Sequence, residues 1–226
     1  LLKPDMRMKS EGQERVKYVD VHTHKRGKDI YLLDISDGRL AEEGELCSAG
    51  IHPMFIGTSE PVKRIEEWAE RKRIVAVGEA GFDRNSETGI AAQTELFEEE
   101  VRISETYKLP LIIHCVKAFP ELLAVYKKMR PRQAWIIHGY NNNRQILDEL
   151  LKHGLYISAG KKVFVETSNI RQLLPFIPLE QLFIETDDSD YTIEEVYAKV
   201  ADLLRIPLDM LIRCMYRNWL SVFSGV

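Results

Sequence analysis

The sequence predicts an α/β fold, a TIM-type (β/α)8 barrel that is abbreviated around its first to third strands. Eight short apolar or β-branched runs recur along the chain, and amphipathic helical patterns separate most of them. Strands that alternate with helices favour a parallel sheet, and eight such strands favour a barrel. The length of 226 residues suits a barrel folded as one domain. The predicted strands are 18–22, 30–35, 46–50, 74–78, 111–114, 135–138, 155–158 and 182–186.

The helices are predicted from their periodicity and from their start and stop signals. Ser59 and Pro61 open the first helix, Pro131 stops the third, and Gly154 follows the fourth as a C-terminal cap. The predicted helices are 59–73, 91–107, 119–129, 143–153, 192–205 and 208–223.

The first quarter of the barrel departs from this alternation. Parallel neighbours ordinarily need a crossover of a dozen or more residues. Only residues 23–29 separate the first two runs, and residues 36–45 contain no helical pattern. We therefore expect no outer helices here, with the second run either a hairpin partner or a distorted strand.

Composition limits the class of protein. Residues 1–17 are polar and lack periodicity, which predicts a loose arm or, in part, an expression remnant, before a single domain at 18–226. Three scattered cysteines argue against a disulfide framework and for a cytoplasmic location. No apolar stretch is long enough to span a bilayer, so no membrane partner is expected. The net charge of −4 gives no overall attraction to nucleic acid, and the oligomeric state is left open.

Histidines and acids collect where the predicted strands end. In the first run, alternation turns Asp20, His22 and His24 to the same face. A single histidine is more often a core or surface residue than a ligand, but five of the six histidines follow such strands. The C-terminal strand ends of a barrel meet at one face, so the pattern predicts a metal site there. The candidate residues are His22, His24, His52, Glu79, His114, His138 and Asp187.

The donor set indicates how many ions such a site would hold. With His52 left aside, four imidazoles and two carboxylates remain, and they exceed one tetrahedral site. Two divalent ions with Glu79 between them would use the whole set and leave positions for water and substrate. Nitrogen and oxygen ligands without cysteine do not choose among Zn, Mn and Mg.

Six stretches, in order, resemble the landmarks of the TatD-like metal-dependent hydrolases, within the amidohydrolase-like superfamily. They are D-V-H-T-H, G-I-H-P, G-E-A-G-F-D, L-P-L-I-I-H, H-G and E-T-D. The resemblance implies a TIM-type barrel and a metal-dependent hydrolase, with cleavage of DNA as the usual activity. It also implies that His22, His24 and Asp187 hold one metal, that His114 and His138 hold the second, and that Glu79 bridges them.

The chain departs from the family pattern around the expected substrate. Val116 stands where many relatives have an arginine, and Lys117 follows it. H-G-Y-N-N-N replaces a stretch resembling H-C-F-S-G, and 188–190 is Asp-Ser-Asp where small and proline residues are common. The loop after the first strand is also shortened. The expected metal centre is therefore complete, whereas the residues around the substrate are altered.

The predicted reaction is hydrolysis by water activated between two ions. Glu79 and Asp187 are the expected catalytic residues, with Asp187 accepting the proton of the water. Asp20, Asp83 and Glu185 are expected to orient the ligating histidines. We expect His52, Lys117 and Tyr140 to contact the substrate.

Basic residues in the predicted catalytic-face loops favour DNA or a small phosphoester as partner, because local positive charge attracts phosphate. An abundance of lysine in any exposed loop is the plainer explanation. The residues concerned are Lys25, Arg26, Lys28, Arg84, Lys117, Arg144, Lys161 and Lys162.

Two other functions stay open. The same metal pair serves hydrolysis of a lactone, an amide or a small phosphoester, although such barrels often bridge their metals with a carboxylated lysine and 74–81 contains no lysine. A binding module that has lost catalysis is the second alternative. Retention of all six donors weighs against it.

Overall fold

The computed structural model describes residues 17–57 and 61–224, and nearly all of the expected arm and Ser59 lie outside these ranges. Eight strands form one parallel sheet in chain order, each pairing with the next. A parallel bridge between Thr23 and Asp187 joins the last strand to the first, so the predicted barrel is confirmed. The strands are β1 (Val19–Thr23), β2 (Ile30–Asp34), β3 (Leu46–Ala49), β4 (Ala76–Asp83), β5 (Leu111–Val116), β6 (Trp135–Ile137), β7 (Tyr156–Ala159) and β8 (Leu182–Ile184).

The six predicted helices are present, each within a few residues of its expected bounds. A further five-residue helix, α5, lies among short 3₁₀ turns between β7 and β8, and is too short to show a periodic pattern. Within the described residues, no helix combines the length and apolar character needed to cross a bilayer. The helices are α1 (Val62–Glu70), α2 (Ile90–Tyr107), α3 (Phe119–Met129), α4 (Arg144–Lys152), α5 (Asn169–Leu173), α6 (Ile193–Leu204) and α7 (Leu208–Phe223).

The connections on either side of β2 contain no helix, as the sequence predicts. The expected hairpin alternative is wrong, because β2 runs parallel to both β1 and β3. The pairing of Val19 with Ile30 means that the chain returns along the full length of β1. Seven steps of extended chain reach at most about 24 Å, and a five-residue strand is about 13 Å long, so a loop without a helix suffices.

The barrel interior is apolar at one end and polar at the other. Ile112, Ile136 and Phe183 belong to one buried cluster, which also includes Trp219 and Phe223 of α7. The Asn218 side chain of α7 donates to the carbonyls of Leu179 and Leu182, at the start of β8. Helix α7 therefore closes the end of the barrel where the strands begin. The opposite end is left for the polar strand termini.

Glu100 of α2 fixes the chain that leads into His52. Its side chain is fully buried, its Oε1 accepts the Ile51 N–H at 2.7 Å, and its Oε2 has no hydrogen-bond partner. Burial raises the pKa of Glu100 well above its ordinary value of 4.5. Folding therefore favours the protonated acid at this position.

We expect Glu100→Gln to stabilise the protein at neutral pH. A carboxyl whose pKa is raised by folding contributes its full stability below its unfolded pKa, and that stability is lost as pH rises towards the folded value. The neutral amide avoids this loss, so its melting temperature should exceed that of the wild type by about 2–4 °C for a gain of about 1 kcal/mol. Thermal unfolding followed by circular dichroism from acidic to neutral pH measures the difference. Glu99→Gln, at the exposed neighbouring position, is the control, and equal melting temperatures at every pH would contradict the prediction.

Candidate metal centre

The predicted histidines and acids meet at the C-terminal end of the barrel, around a cavity of about 800 Å³. This volume lies within the ordinary range for a small-molecule site. His24, His52, Glu79, His114, His138 and Asp187 line the cavity. His22 is fully buried beneath it, against Glu79.

Glu79 stands between two pairs of histidines. Its Oε2 lies 3.4 Å from His22 Nε2 and 3.6 Å from His24 Nε2. Its Oε1 lies 2.8 Å from His114 Nδ1 and 2.7 Å from His138 Nε2. Asp187 completes the first group, since its Oδ1 is 3.7 Å from His22 Nε2 and 3.6 Å from His24 Nε2. The carboxylate of Glu79 thus presents one oxygen to each group.

Barrel closure brings Asp187 to this position. The Asp187 N–H donates to the His22 carbonyl at 3.0 Å, and the His24 N–H donates to the Asp187 carbonyl at 3.1 Å. These two bonds join the chain after β8 to the chain after β1. The first and last strands of the barrel are therefore held in register beside the metal-ligand candidates.

Acidic groups face the outer nitrogens of two histidines. Asp83 Oδ2 lies 3.0 Å from His114 Nε2, and Glu185 Oε1 lies 3.6 Å from His138 Nδ1. Each inner nitrogen is thereby left to point at Glu79. Asp20 differs from expectation, because it accepts hydrogen bonds from the Thr186 N–H and hydroxyl and makes none to a histidine. It holds the chain next to Asp187.

The charges in this cluster depend on one another. Burial alone would raise the pKa of Glu79, but His138, His114 and His22 hold that pKa well below its ordinary value. Burial alone would lower the pKa of His22 and of His138, but Glu79 raises both pKa values above the ordinary histidine value. The buried Glu79 carboxylate therefore favours positive charge on the groups around it.

Two observations indicate that a divalent ion would fit the His22 group, which consists of His22, His24, Asp187 and Glu79 Oε2. Both ring nitrogens of the buried His22 lack a hydrogen-bond partner, which is rare for buried polar atoms. Ligands about 2.1 Å from a tetrahedral ion lie about 3.4 Å apart, close to the 3.4–3.7 Å spacings of this group. The donors are nitrogen and oxygen only, which suits Zn, Mn or Mg.

The sequence analysis missed Asp34. It ends β2, is buried, and offers a carboxylate oxygen within 4.8 Å of ligand atoms of His22, His24 and Glu79. Its Oδ2 accepts the Glu79 N–H at 3.3 Å, and its Oδ1 accepts the Ser36 N–H at 2.6 Å. The available signal was an acid directly after an apolar run, as at the other strands.

The three expected substrate contacts lie in different settings. His52 Nδ1 accepts the Met54 N–H, so the hydrogen of a neutral ring is on Nε2, which is 3.3 Å from Glu79 Oε1. Lys117 donates to Asn85 Oδ1 and lines neither cavity at this face. Tyr140 is buried and its hydroxyl donates to the Asn143 carbonyl, although it borders a smaller neighbouring cavity. Only His52 has a donor directed at the cluster.

The expected basic rim does not give a cationic surface, because most of its side chains pair with acids. Among residues 17–57 and 61–224, the large cavity is lined by five carboxylates and by no lysine or arginine. The observed ion pairs are Lys25–Asp190, Arg26–Glu45, Arg84–Glu121, Arg144–Asp148 and Lys161–Asp188.

Comparison with known families agrees with this arrangement. A profile of the family described as TatD related DNase matches residues 13–224. The chain belongs to the TatD-related DNase family.

Curated relatives share about a third of their residues with this chain over the matched regions. A "3'-5' ssDNA/RNA exonuclease TatD" of Citrobacter rodentium is 34% identical over 158 residues, 66% of this chain and 60% of the relative. An "uncharacterized metal-dependent hydrolase" of Buchnera aphidicola is 29% identical over 162 residues, 70% of this chain and 60% of the relative. The chain thus matches about 60% of the length of these curated relatives.

Two solved structures share the fold. YJJV, a TatD homologue from Escherichia coli, superposes with a TM-score of 0.78 at 19% identity, covering 92% of this chain and 98% of its own. A TatD family hydrolase from Entamoeba histolytica gives 0.75 at 14% identity, covering 93% and 99%. At these identities the likeness establishes the barrel alone.

We expect divalent metal to stabilise the stripped protein. Ligand at a hundredfold excess over its Kd adds about 2.7 kcal/mol, or about 5–10 °C in Tm for a chain of this size.

Asp83→Asn should weaken metal binding about 10- to 100-fold, because Asp83 orients His114. Calorimetric titration with Mn²⁺ or Zn²⁺ tests both, with Asp148→Asn on exposed α4 as control. Unchanged affinity in Asp83→Asn would contradict the assigned role.

Proposed function

We propose that the chain is a divalent-metal-dependent hydrolase that cleaves phosphodiester bonds of single-stranded nucleic acid. The observation that carries the proposal is Glu79, whose two oxygens face two separate groups of metal-ligand candidates. The Citrobacter relatives named as exonucleases of single-stranded DNA and RNA support the substrate class.

The residues present suit two cations. His22, His24, Asp187 and Glu79 Oε2 would hold one, and His114, His138 and Glu79 Oε1 would hold the other. Divalent ions supply Lewis acidity, which acidifies water and offsets the negative charge of a phosphodiester. Asp83 and Glu185 would keep the inner nitrogens of His114 and His138 free to ligate.

Asp187 would act on the attacking water, and His52 would act on the phosphate. The Asp187 side chain is 20% exposed against 7% for Glu79, so it is the more accessible acid for water to reach. It would accept the proton of the attacking water. The Nε2–H of His52 would donate to a non-bridging phosphate oxygen and so orient the substrate.

An aromatic side chain at the cavity mouth favours unpaired bases. Phe55 is 58% exposed, lines the large cavity, and lies with its ring 5.3 Å from that of His52. A base that stacks on an exposed ring gains about 1–3 kcal/mol regardless of its identity. A single strand offers such bases, whereas a duplex does not.

We expect stripped protein supplied with Mg²⁺, Mn²⁺ or Zn²⁺ to hydrolyse single-stranded DNA and bis(p-nitrophenyl) phosphate. Asp187→Asn should lose about 10²- to 10⁴-fold in kcat, because the proton acceptor is removed. Glu79→Gln should lose metal binding together with activity, because the amide has no negative charge to share. Rates and metal content measured on the same samples test both statements.

His153→Gln is the matched control, since His153 is the sixth histidine and lies at the end of α4, beside Glu149. Its activity should equal that of the wild type. Cleavage of the small diester alone would contradict nucleic acid as substrate. Metal-loaded protein that cleaves neither substrate would contradict the proposed function and favour a lactone, an amide or a non-catalytic role.

A further inference from the structure

A second cavity, of about 160 Å³, adjoins the candidate metal centre. It lies between the ends of β5, β6, β7 and β8, and His114, His138 and Asp187 border both cavities. Its volume is well below that of sites for drug-sized ligands, so it suits one small group such as a phosphate.

The wall formed by β5 supplies no cation to this small cavity. Val116, the last residue of β5, lines it with an apolar side chain. The neighbouring Lys117 is directed away, and its ammonium donates to Asn85. On that wall a phosphate would therefore meet His114, Cys115 and Val116, none of which is a lysine or an arginine.

Lys161 supplies a cation from the opposite wall. It begins the 3₁₀ turn Lys161–Phe164 directly after β7, and its side chain is 36% exposed. Its ammonium lies 3.4 Å from Asp187 Oδ2 and pairs with Asp188.

We propose that Lys161 binds a non-bridging oxygen of the substrate phosphate in the small cavity, from the wall that follows β7. This inference rests on the proposed function for the identity of the substrate. An ammonium has three donors, so Lys161 can contact a phosphate while it stays beside Asp187. Asp188 holds the side chain at the small cavity when no anion is bound.

Titration of the metal-loaded protein with inorganic phosphate tests the proposal directly. Lys161→Ala should raise the Kd about 10- to 100-fold, the range for loss of a charged hydrogen bond. Lys161→Arg should bind nearly as the wild type does, because the positive charge is kept. Adding Val116→Arg to Lys161→Ala should restore binding from the other wall.

Lys25→Ala is the matched control, because Lys25 lies at the same face, pairs with Asp190 and lines neither of the two cavities. Metal affinity is measured for every variant. Unchanged phosphate binding in Lys161→Ala would overturn the proposal, as would phosphate binding too weak to detect in the wild type. Weakened metal binding with unchanged phosphate affinity would also overturn it, by showing that Lys161 only positions Asp187.

This test separates the inference from the proposed function. A wild type that binds phosphate through Lys161 but cleaves no diester supports the phosphate site and contradicts the reaction. A wild type that cleaves DNA, with a Lys161→Ala variant unchanged in phosphate Kd and in KM, contradicts the phosphate site alone.

Discussion

The buried carboxylate of Glu79 is the group on which the rest of the site depends. A charge removed from water is stable only when it is paired, and here the imidazoles of five histidines lie within 3.6 Å of the carboxylate oxygens. The same histidines are costly to bury without a negative partner. Strand β4 therefore could not lose this acid without leaving buried donors unsatisfied, which ties the site to the stability of the barrel mouth.

Much of the fold could be predicted because its signals are local. Strand and helix periodicities, Pro131 and Gly154 placed six helices and eight strands within a few residues. The direction of β2 could not be predicted, since it depends on the short 24–29 loop returning along the length of β1. That error hid Asp34, because a hairpin partner would have ended at the other rim of the barrel.

The candidate site shows the same division between local and spatial information. Strand ends marked the histidines and acids that meet around Glu79. The direction of the lysine side chains could not be predicted from the sequence. Lys117 has a positive φ of 56° and points to Asn85. Lys161 lies in a loop without periodicity, and its side chain reaches Asp187. Asp20 shares a strand with His22, yet its carboxylate accepts hydrogen bonds from Thr186, a partner on the far side of barrel closure that strand alternation cannot indicate.

The negative charge of the large cavity determines the order in which ligands can bind. Asp34, Asp37, Glu79, Asp187 and Asp188 line it, and the basic side chains around it are largely paired with acids. A phosphodiester would be repelled by this lining, since like charges in a partly buried cavity are poorly screened. Cations must therefore offset the acids before an anionic substrate is held. Lys161 lines the small cavity and adds a positive charge 3.4 Å from Asp187 Oδ2, an acid that borders both cavities.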